Sequence, residues 1–281
     1  MDKNVAVSLS ECKINNNKSL YIVKIGGNVI DNADNLYCFL RNFTALKGHK
    51  ILVHGGGKAA TRLSATLGIE ANMADGRRIT DIETLRVVTM VYGGLINKNI
   101  VAALQSLGNN AIGLTGADAD VIRAKKRPVA AIDYGFAGDI DATSVNTENI
   151  GKLMDTGFTP VFCALTHDGK GQLLNTNADT IASALAVALA PNYDTTLIYC
   201  FEKKGVLKDI DDERSLIHEI DPKLYQELKK NQTVHSGMLP KLDNAFAAIA
   251  AGVKAVIIGN ADELGYLIEN KPFGTRLTKN Q

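Results

Sequence analysis

The sequence predicts a three-layer α/β/α sandwich with a central, mainly parallel sheet. Three observations carry that expectation. Strand-like and helix-like runs alternate along the chain. Several strand-like runs, such as Ala255-Val256-Ile257-Ile258, are continuously apolar, as strands covered on both faces are. The helix-like runs repeat apolar residues at three- and four-residue spacing, which gives each one stripe to bury.

The expected strands cover residues 20–25, 50–54, 110–115, 128–133, 159–165, 195–200 and 254–258. A long helical period runs from Ile82 through Val88, Leu95 and Ile100 to Leu107. Gly93-Gly94 interrupts it, and close packing against a neighbour would explain the pair. Ile181 to Leu189 form a second period, ended by Pro191. Leu242 to Ile249 form a third, with Pro240 in the first turn and Gly252 just past the end. Residues 127–143 read as a hairpin-rich excursion with turn signals at Tyr134-Gly135 and Ala137-Gly138. Residues 1–19 are polar and Asn-rich and read as a flexible head. The rest forms one body with a softer division near residue 170.

Composition narrows the function. The 281 residues are 46% hydrophobic and 22% charged, ordinary for a chain with a large core. Lys plus Arg is 31 against 30 for Asp plus Glu, a net charge of +1 that suggests no nucleic-acid partner. The run Arg123-Ala124-Lys125-Lys126-Arg127 reads as a solvated turn. Cys12, Cys38, Cys163 and Cys200 form no C-x-x-C pair and no zinc spacing, so no metal site is expected and the compartment reads as reducing and cytoplasmic. No run approaches a membrane span, and the head is no signal peptide. The scattered histidines suggest no metal cluster, and His54 reads as a packing residue at a strand end.

Motifs supply the chemistry. Lys24 closes one strand and is followed by Gly26-Gly27. His54-Gly55-Gly56-Gly57 joins a strand to a helix, a turn that presents N–H groups to an anion. Its Gly55, Gly57 and Ala60 also match a weak dinucleotide fingerprint. An NAD reading then needs a strand ending at Asp75, and none is convincing. One of Arg77 and Arg78 suits a carboxylate, because the guanidinium fork binds it bidentately. Asn175-Thr176-Asn177-Ala178-Asp179 precedes an Ala-rich helix. Asn177 is its default cap, and Asp179 is placed to orient a lysine ammonium. Lys241 follows Gly237-Met238-Leu239-Pro240 at another helix start. Two lysines with backbone N–H groups suit transfer of a phosphoryl group between two anions. A non-catalytic ligand-binding module remains the alternative from another class.

These segments, in this order, resemble the amino acid kinase family over about residues 20 to 279. The resemblance implies the amino acid kinase or carbamate kinase-like fold, a homodimer, and a division into an acyl-amino-acid-binding lobe (about 20–170) and a nucleotide-binding lobe (about 171–281). It implies phosphorylation of the side-chain carboxylate of N-acetyl-L-glutamate, or of its N-succinyl analogue, by ATP with Mg²⁺, the second step of arginine synthesis. Lys24 and Lys241 would stabilise the transition state and Asp179 would organise both. Gly56, Gly57, Arg78 and Asn175 would hold the acyl-glutamate. Gly26, Gly27, Glu202, Gly205 and Lys241 would hold the nucleotide. Where the family has a Thr/Ser-Asp pair ahead of Gly205, this chain has Cys200-Phe201-Glu202, so the hydroxyl is lost. The tail 259–277 lacks the histidine signature of arginine-inhibited relatives, and the head lacks their hexamer-forming helical period. Weak inhibition by arginine is therefore expected.

Overall fold

The computed structural model describes residues 18–231, 233–234 and 238–279. The expected head lies outside these as far as residue 17, as do Cys12, His235 and Gly237. Lys18 and Ser19, assigned to the head from sequence, instead open the first strand.

An eight-stranded sheet forms the centre. Its strands are β1 (Lys18–Ile25), β2 (His49–His54), β3 (Ala111–Leu114), β4 (Thr159–Cys163), β5 (Tyr193–Phe201), β6 (Glu219–Ile220), β7 (Ala255–Asn260) and β8 (Thr275–Leu277). Their order across the sheet is β6-β8-β7-β5-β1-β2-β4-β3. β7 and β8 pair antiparallel, and the other neighbours run parallel. Strands before residue 170 thus lie on one side of the β1–β5 seam and those after it on the other. Leu20, Ile22, Val23 and Ile25 of β1 are all fully buried, because helices cover both faces.

The helices are α1 (Gly27–Ile30), α2 (Ala33–Ala45), α3 (Gly57–Thr66), α4 (Ile82–Ser106), α5 (Thr147–Asp155), α6 (Ala178–Leu189), α7 (Pro222–Lys230) and α8 (Leu239–Ala250). α2 packs on the last part of α4, whereas α6 packs on β1, β2, β5 and α8. α4 is 25 residues long and, by length and composition, apolar enough to cross a membrane, which overturns the expectation that no run reaches that length. Val88, Ile100 and Leu104 are fully buried and α4 packs on β3 and α2, so it is a core helix.

α4 is π-helical over Thr89–Ile96, a widening often found at functional sites. A Cβ on Gly93 would sit 3.4 Å from Leu165, but one on Gly94 would meet nothing within 4 Å. Close packing therefore accounts for the first glycine only. The widened turn brings Tyr92 and Ile96 against Gly56, where a Cβ would approach Ile96 to 2.5 Å.

The expected strand over 128–133 does not form. Pro128 has no N–H to give a ladder, and Val129 is left 67% exposed with no layer above it. Lys125–Lys126 pairs with Gly138–Asp139 instead, so the hairpin expectation holds with displaced arms. The expected 159–165 run breaks after Cys163, and Leu165–His167 turns away to pair with Leu173–Asn175.

His54 ends β2 fully buried. Its Nδ1 donates to the Gly55 carbonyl at 2.8 Å, and its Nε2 accepts from Asn97 Nδ2 at 3.1 Å, an arrangement that requires the neutral ring. Burial pushes its pKa down to about 4, with the nearby Lys98 charge adding to the effect and the Gly55 bond opposing it. The unfolded chain takes up this proton first, near pH 6.5, so the stabilisation is complete above that pH and is lost as pH falls toward about 4. We expect this group alone to cost on the order of 3 kcal/mol of unfolding free energy between pH 7 and pH 4. Urea titrations at both pH values measure the loss. An NMR titration showing His54 with an ordinary pKa near 6.5 would refute it.

Candidate active site

The carboxyl ends of β1, β2 and β5 meet at mid-sheet, where open α/β sheets leave room for ligands. Lys24 is the penultimate residue of β1, in register with Val53 of β2 and Tyr199 of β5. Its side chain is buried, and Nζ lies 2.6 Å from Asp179 Oδ1. The contact is an ion pair that ties the strand-end lysine to the first turn of α6. Asp179 is fixed in the first turn of α6 by Asn177, whose side chain accepts from the Asp179 and Thr180 N–H groups at 2.8 and 3.2 Å. Asn177 is therefore the helix cap, as its position predicts.

Two cavities flank this point. The first, about 560 Å³, is lined by Lys24, Asp179, Gly56, Gly57, Arg78 and Asn175, among others. The second, about 340 Å³, is lined by Lys241, Phe201, Glu202 and Gly205, among others. Both include Gly26 and Gly27, so they meet across that peptide. Every site residue named from sequence thus borders one cavity or the other.

Arg78 is largely buried in the wall of the first cavity. Nη2 donates to the Gly57 carbonyl at 3.0 Å and to Thr61 Oγ1 at 2.7 Å. Nη1 is buried without a partner. An unpaired buried cationic donor is costly, and a carboxylate in the cavity would relieve it. Asn175 Nδ2 donates to Thr80 Oγ1 at 3.0 Å, and that hydroxyl donates to the Arg78 carbonyl at 3.0 Å. A short chain of polar groups therefore links Asn175 to the arginine.

The glycines divide by cause. Gly56 and Gly205 are required by packing, because a Cβ would press on Tyr92 and Ile96 in one case and on Thr275 and Leu216 in the other. At Gly26, Gly27 and Gly57 a Cβ would meet nothing closer than 3.9 Å, and none of these has a positive φ. What remains to favour glycine there is close approach of a ligand to bare backbone.

Lys241 lies in the first turn of α8, just after Pro240. Its Nζ is 3.8 Å from the centre of the Phe201 ring. Burial lowers its pKa and the Lys24 charge adds to the lowering, while Asp179 opposes them. Asp179 therefore touches one lysine and acts on the other through space. Glu202 is exposed, and its carbonyl accepts from Asn260 Nδ2 at 2.8 Å.

Three contributors escaped the sequence reading. Phe201 shows in the sequence only as a lost hydroxyl, yet its ring lines the second cavity. Tyr92 lines the first cavity because the π turn redirects it, and helical periodicity gives no warning of that. Arg127, expected in a solvated run, pairs with Asp139 across the hairpin and lines the same cavity. Asp75 stands on the tight turn between Met73–Ala74 and Arg77–Arg78, with φ of 49° followed by 72° at Gly76. It ends no strand of the eight-stranded sheet, so the dinucleotide reading falls.

Among the described residues no three His, Cys, Asp or Glu side chains are grouped to hold an ion. The site still fits Mg²⁺ carried in on a triphosphate, which commonly needs one or two carboxylates from the protein. Asp179, which lines the first cavity beside Lys24, would be placed to help.

The sequence profile of the amino acid kinase family matches residues 19–260. The chain belongs to the amino acid kinase family. Among its relatives in that family, the acetylglutamate kinase of Cytophaga hutchinsonii is 58% identical over 94% of this chain and 100% of its own length. The acetylglutamate kinase of Phocaeicola vulgatus is 53% identical over 93% of this chain and 99% of its own. A solved structure of carbamate kinase from Giardia lamblia bound to AMP-PNP superposes with a TM-score of 0.67 at 16% identity, covering 95% of this chain and 100% of that one. The last likeness concerns the fold alone.

Proposed function

We propose that this amino acid kinase transfers the γ-phosphoryl group of ATP to the side-chain carboxylate of N-acetyl-L-glutamate, yielding the acyl phosphate and ADP. The observation that carries the proposal is the pair of cavities joined at Gly26–Gly27, with a lysine ammonium bordering each. The first would take the acyl-glutamate, its α-carboxylate on Arg78 and Asn175. The second would take the nucleotide, over Gly26, Gly27 and Gly205, with Glu202 at its mouth. On this reading residues to about 170 form the acyl-amino-acid-binding lobe and the rest the nucleotide-binding lobe.

The nucleophile needs no base, because a glutamate carboxylate with a pKa of about 4.3 is already ionised at neutral pH. One of its oxygens bonds to the γ-phosphorus as the bond to the β,γ-bridging oxygen breaks, and no proton moves. The obstacle is repulsion between two anions. Lys24 and Lys241 offset it from either side of the transferring group, and bare backbone N–H groups help align it. Mg²⁺ would add charge neutralisation on the phosphates.

A second acyl group has support of its own. Arg77 and Arg127 both border the first cavity with Asp139 as their shared acid, leaving one positive charge over near the hairpin. An N-succinyl group, with its own carboxylate, would suit that surplus. Trapping the acyl phosphate with hydroxylamine tests both readings. We expect hydroxamate with ATP–Mg²⁺ and N-acetyl- or N-succinyl-L-glutamate, and the ratio of kcat/KM values ranks the acyl groups. No hydroxamate with either would overturn the proposal.

We further propose a cytoplasmic homodimer. Cys38, Cys163 and Cys200 are free thiols, in keeping with a reducing compartment. Met90 and Leu95 leave apolar surface on α4 for a second copy.

A further inference from the structure

We propose that Phe201 is a positioning residue whose ring face holds the ammonium groups of Lys24 and Lys241 in the transfer site. The inference rests on the phosphotransfer reading above. Phe201 ends β5, two residues beyond Tyr199, the register partner of Lys24, and lines the second cavity. Lys241 Nζ lies 3.8 Å from its ring centre and Lys24 Nζ lies 5.5 Å from it. Tyr199 stacks on the ring at 6.2 Å with an interplanar angle of 18°, which helps fix its plane.

The physical case concerns like charge. Two ammonium groups brought to one phosphoryl position repel each other before substrate arrives. Asp179 is in ion-pair contact with one of them, Lys24. A second carboxylate would hold the other, but it would also cancel charge that the transition state needs. The negative face of an aromatic ring attracts a cation without neutralising it. Phe201 can therefore draw both lysines together and leave their charge available to the phosphates.

The test compares Phe201→Leu, which keeps apolar bulk but removes the ring, with Phe201→Tyr, which keeps the ring. We expect Phe201→Leu to lower kcat about tenfold, in line with the loss of a partly desolvated cation–π contact, and to leave KM for acyl-glutamate unchanged. Phe201→Tyr should restore turnover to about the wild-type level. NMR of protein labelled at the lysine ε-carbons gives a readout independent of activity. The Lys241 signal, assigned by its absence in Lys241→Arg, should be displaced upfield by the ring in the wild type and revert in Phe201→Leu. Undiminished kcat in Phe201→Leu, a change confined to KM for ATP, equal defects in both variants, or an undisplaced Lys241 signal would each overturn the inference. A wild-type protein that forms no acyl phosphate would instead sink the functional reading, while the Lys241 signal still decides whether the ring holds the lysine.

Discussion

Replacing Lys24 with alanine should lower kcat by on the order of 10²-fold or more, with a much smaller change in KM. The size follows from what the ammonium does. It is buried at a strand end, held against Asp179, and has backbone rather than flexible loop beneath it. Such a charge is preorganised and gains most when negative charge builds on the transferring oxygens. Its removal also leaves the Asp179 carboxylate facing the incoming phosphates, which adds repulsion to the lost attraction. Lys24→Arg should rescue poorly, because a planar guanidinium does not occupy the space of a compact ammonium. Steady-state kinetics with a thermal melt for each variant separate chemistry from folding. A folded Lys24→Ala protein with near wild-type turnover would remove the central element of the proposed mechanism.

Arg78→Ala should reduce kcat/KM for acyl-glutamate by on the order of 10²- to 10³-fold, mostly through KM, as expected when one partner of a buried charge pair is removed. The KM for ATP should stay near its normal value, because Arg78 borders only the first of the two cavities. Arg78→Lys is the sharper variant. It preserves the charge but cannot both hold Gly57 and Thr61 and present a second nitrogen to a carboxylate. We expect it to recover only a small part of the lost affinity. An unchanged KM for acyl-glutamate in Arg78→Ala would place the α-carboxylate elsewhere.

Much of this was legible in the sequence for one reason: buried parallel strands must be apolar throughout, and their ends must be punctuated. Ile22, Val23, Leu52 and Val53 announce β1 and β2, and the glycines after Lys24 and His54 announce where they stop. Lys24 and Asp179 stand out in the sequence because a lysine closing an apolar strand and an acid in the first turn of a small-residue helix lack a packing reason. The two short strands at one end of the sheet were not legible. Glu219–Ile220 and Thr275–Leu277 carry too few apolar residues to show a period, and their pairing depends on neighbours distant in sequence. The 128–133 run misled because β-branched and small apolar residues favour a strand only where another layer covers them. Arg127 was misread because its partner, Asp139, is set by hairpin register rather than by local spacing. Phe201 was recognised as a substitution, but its closeness to two cations arises from strand order, which composition does not encode.

Because β1 is bonded along its length to β5 on one flank and over much of it to β2 on the other, the two cavities hang on adjacent rails of a single lattice. Their separation is set by an interstrand spacing of about 4.8 Å and a twist of about 20–25° per strand, not by a swivel between independent bodies. Such a frame resists a jaw-like opening but yields to torsion. The final approach of the two anions then falls to elastic flexing of the lattice and to the side chains and turns mounted on its rim.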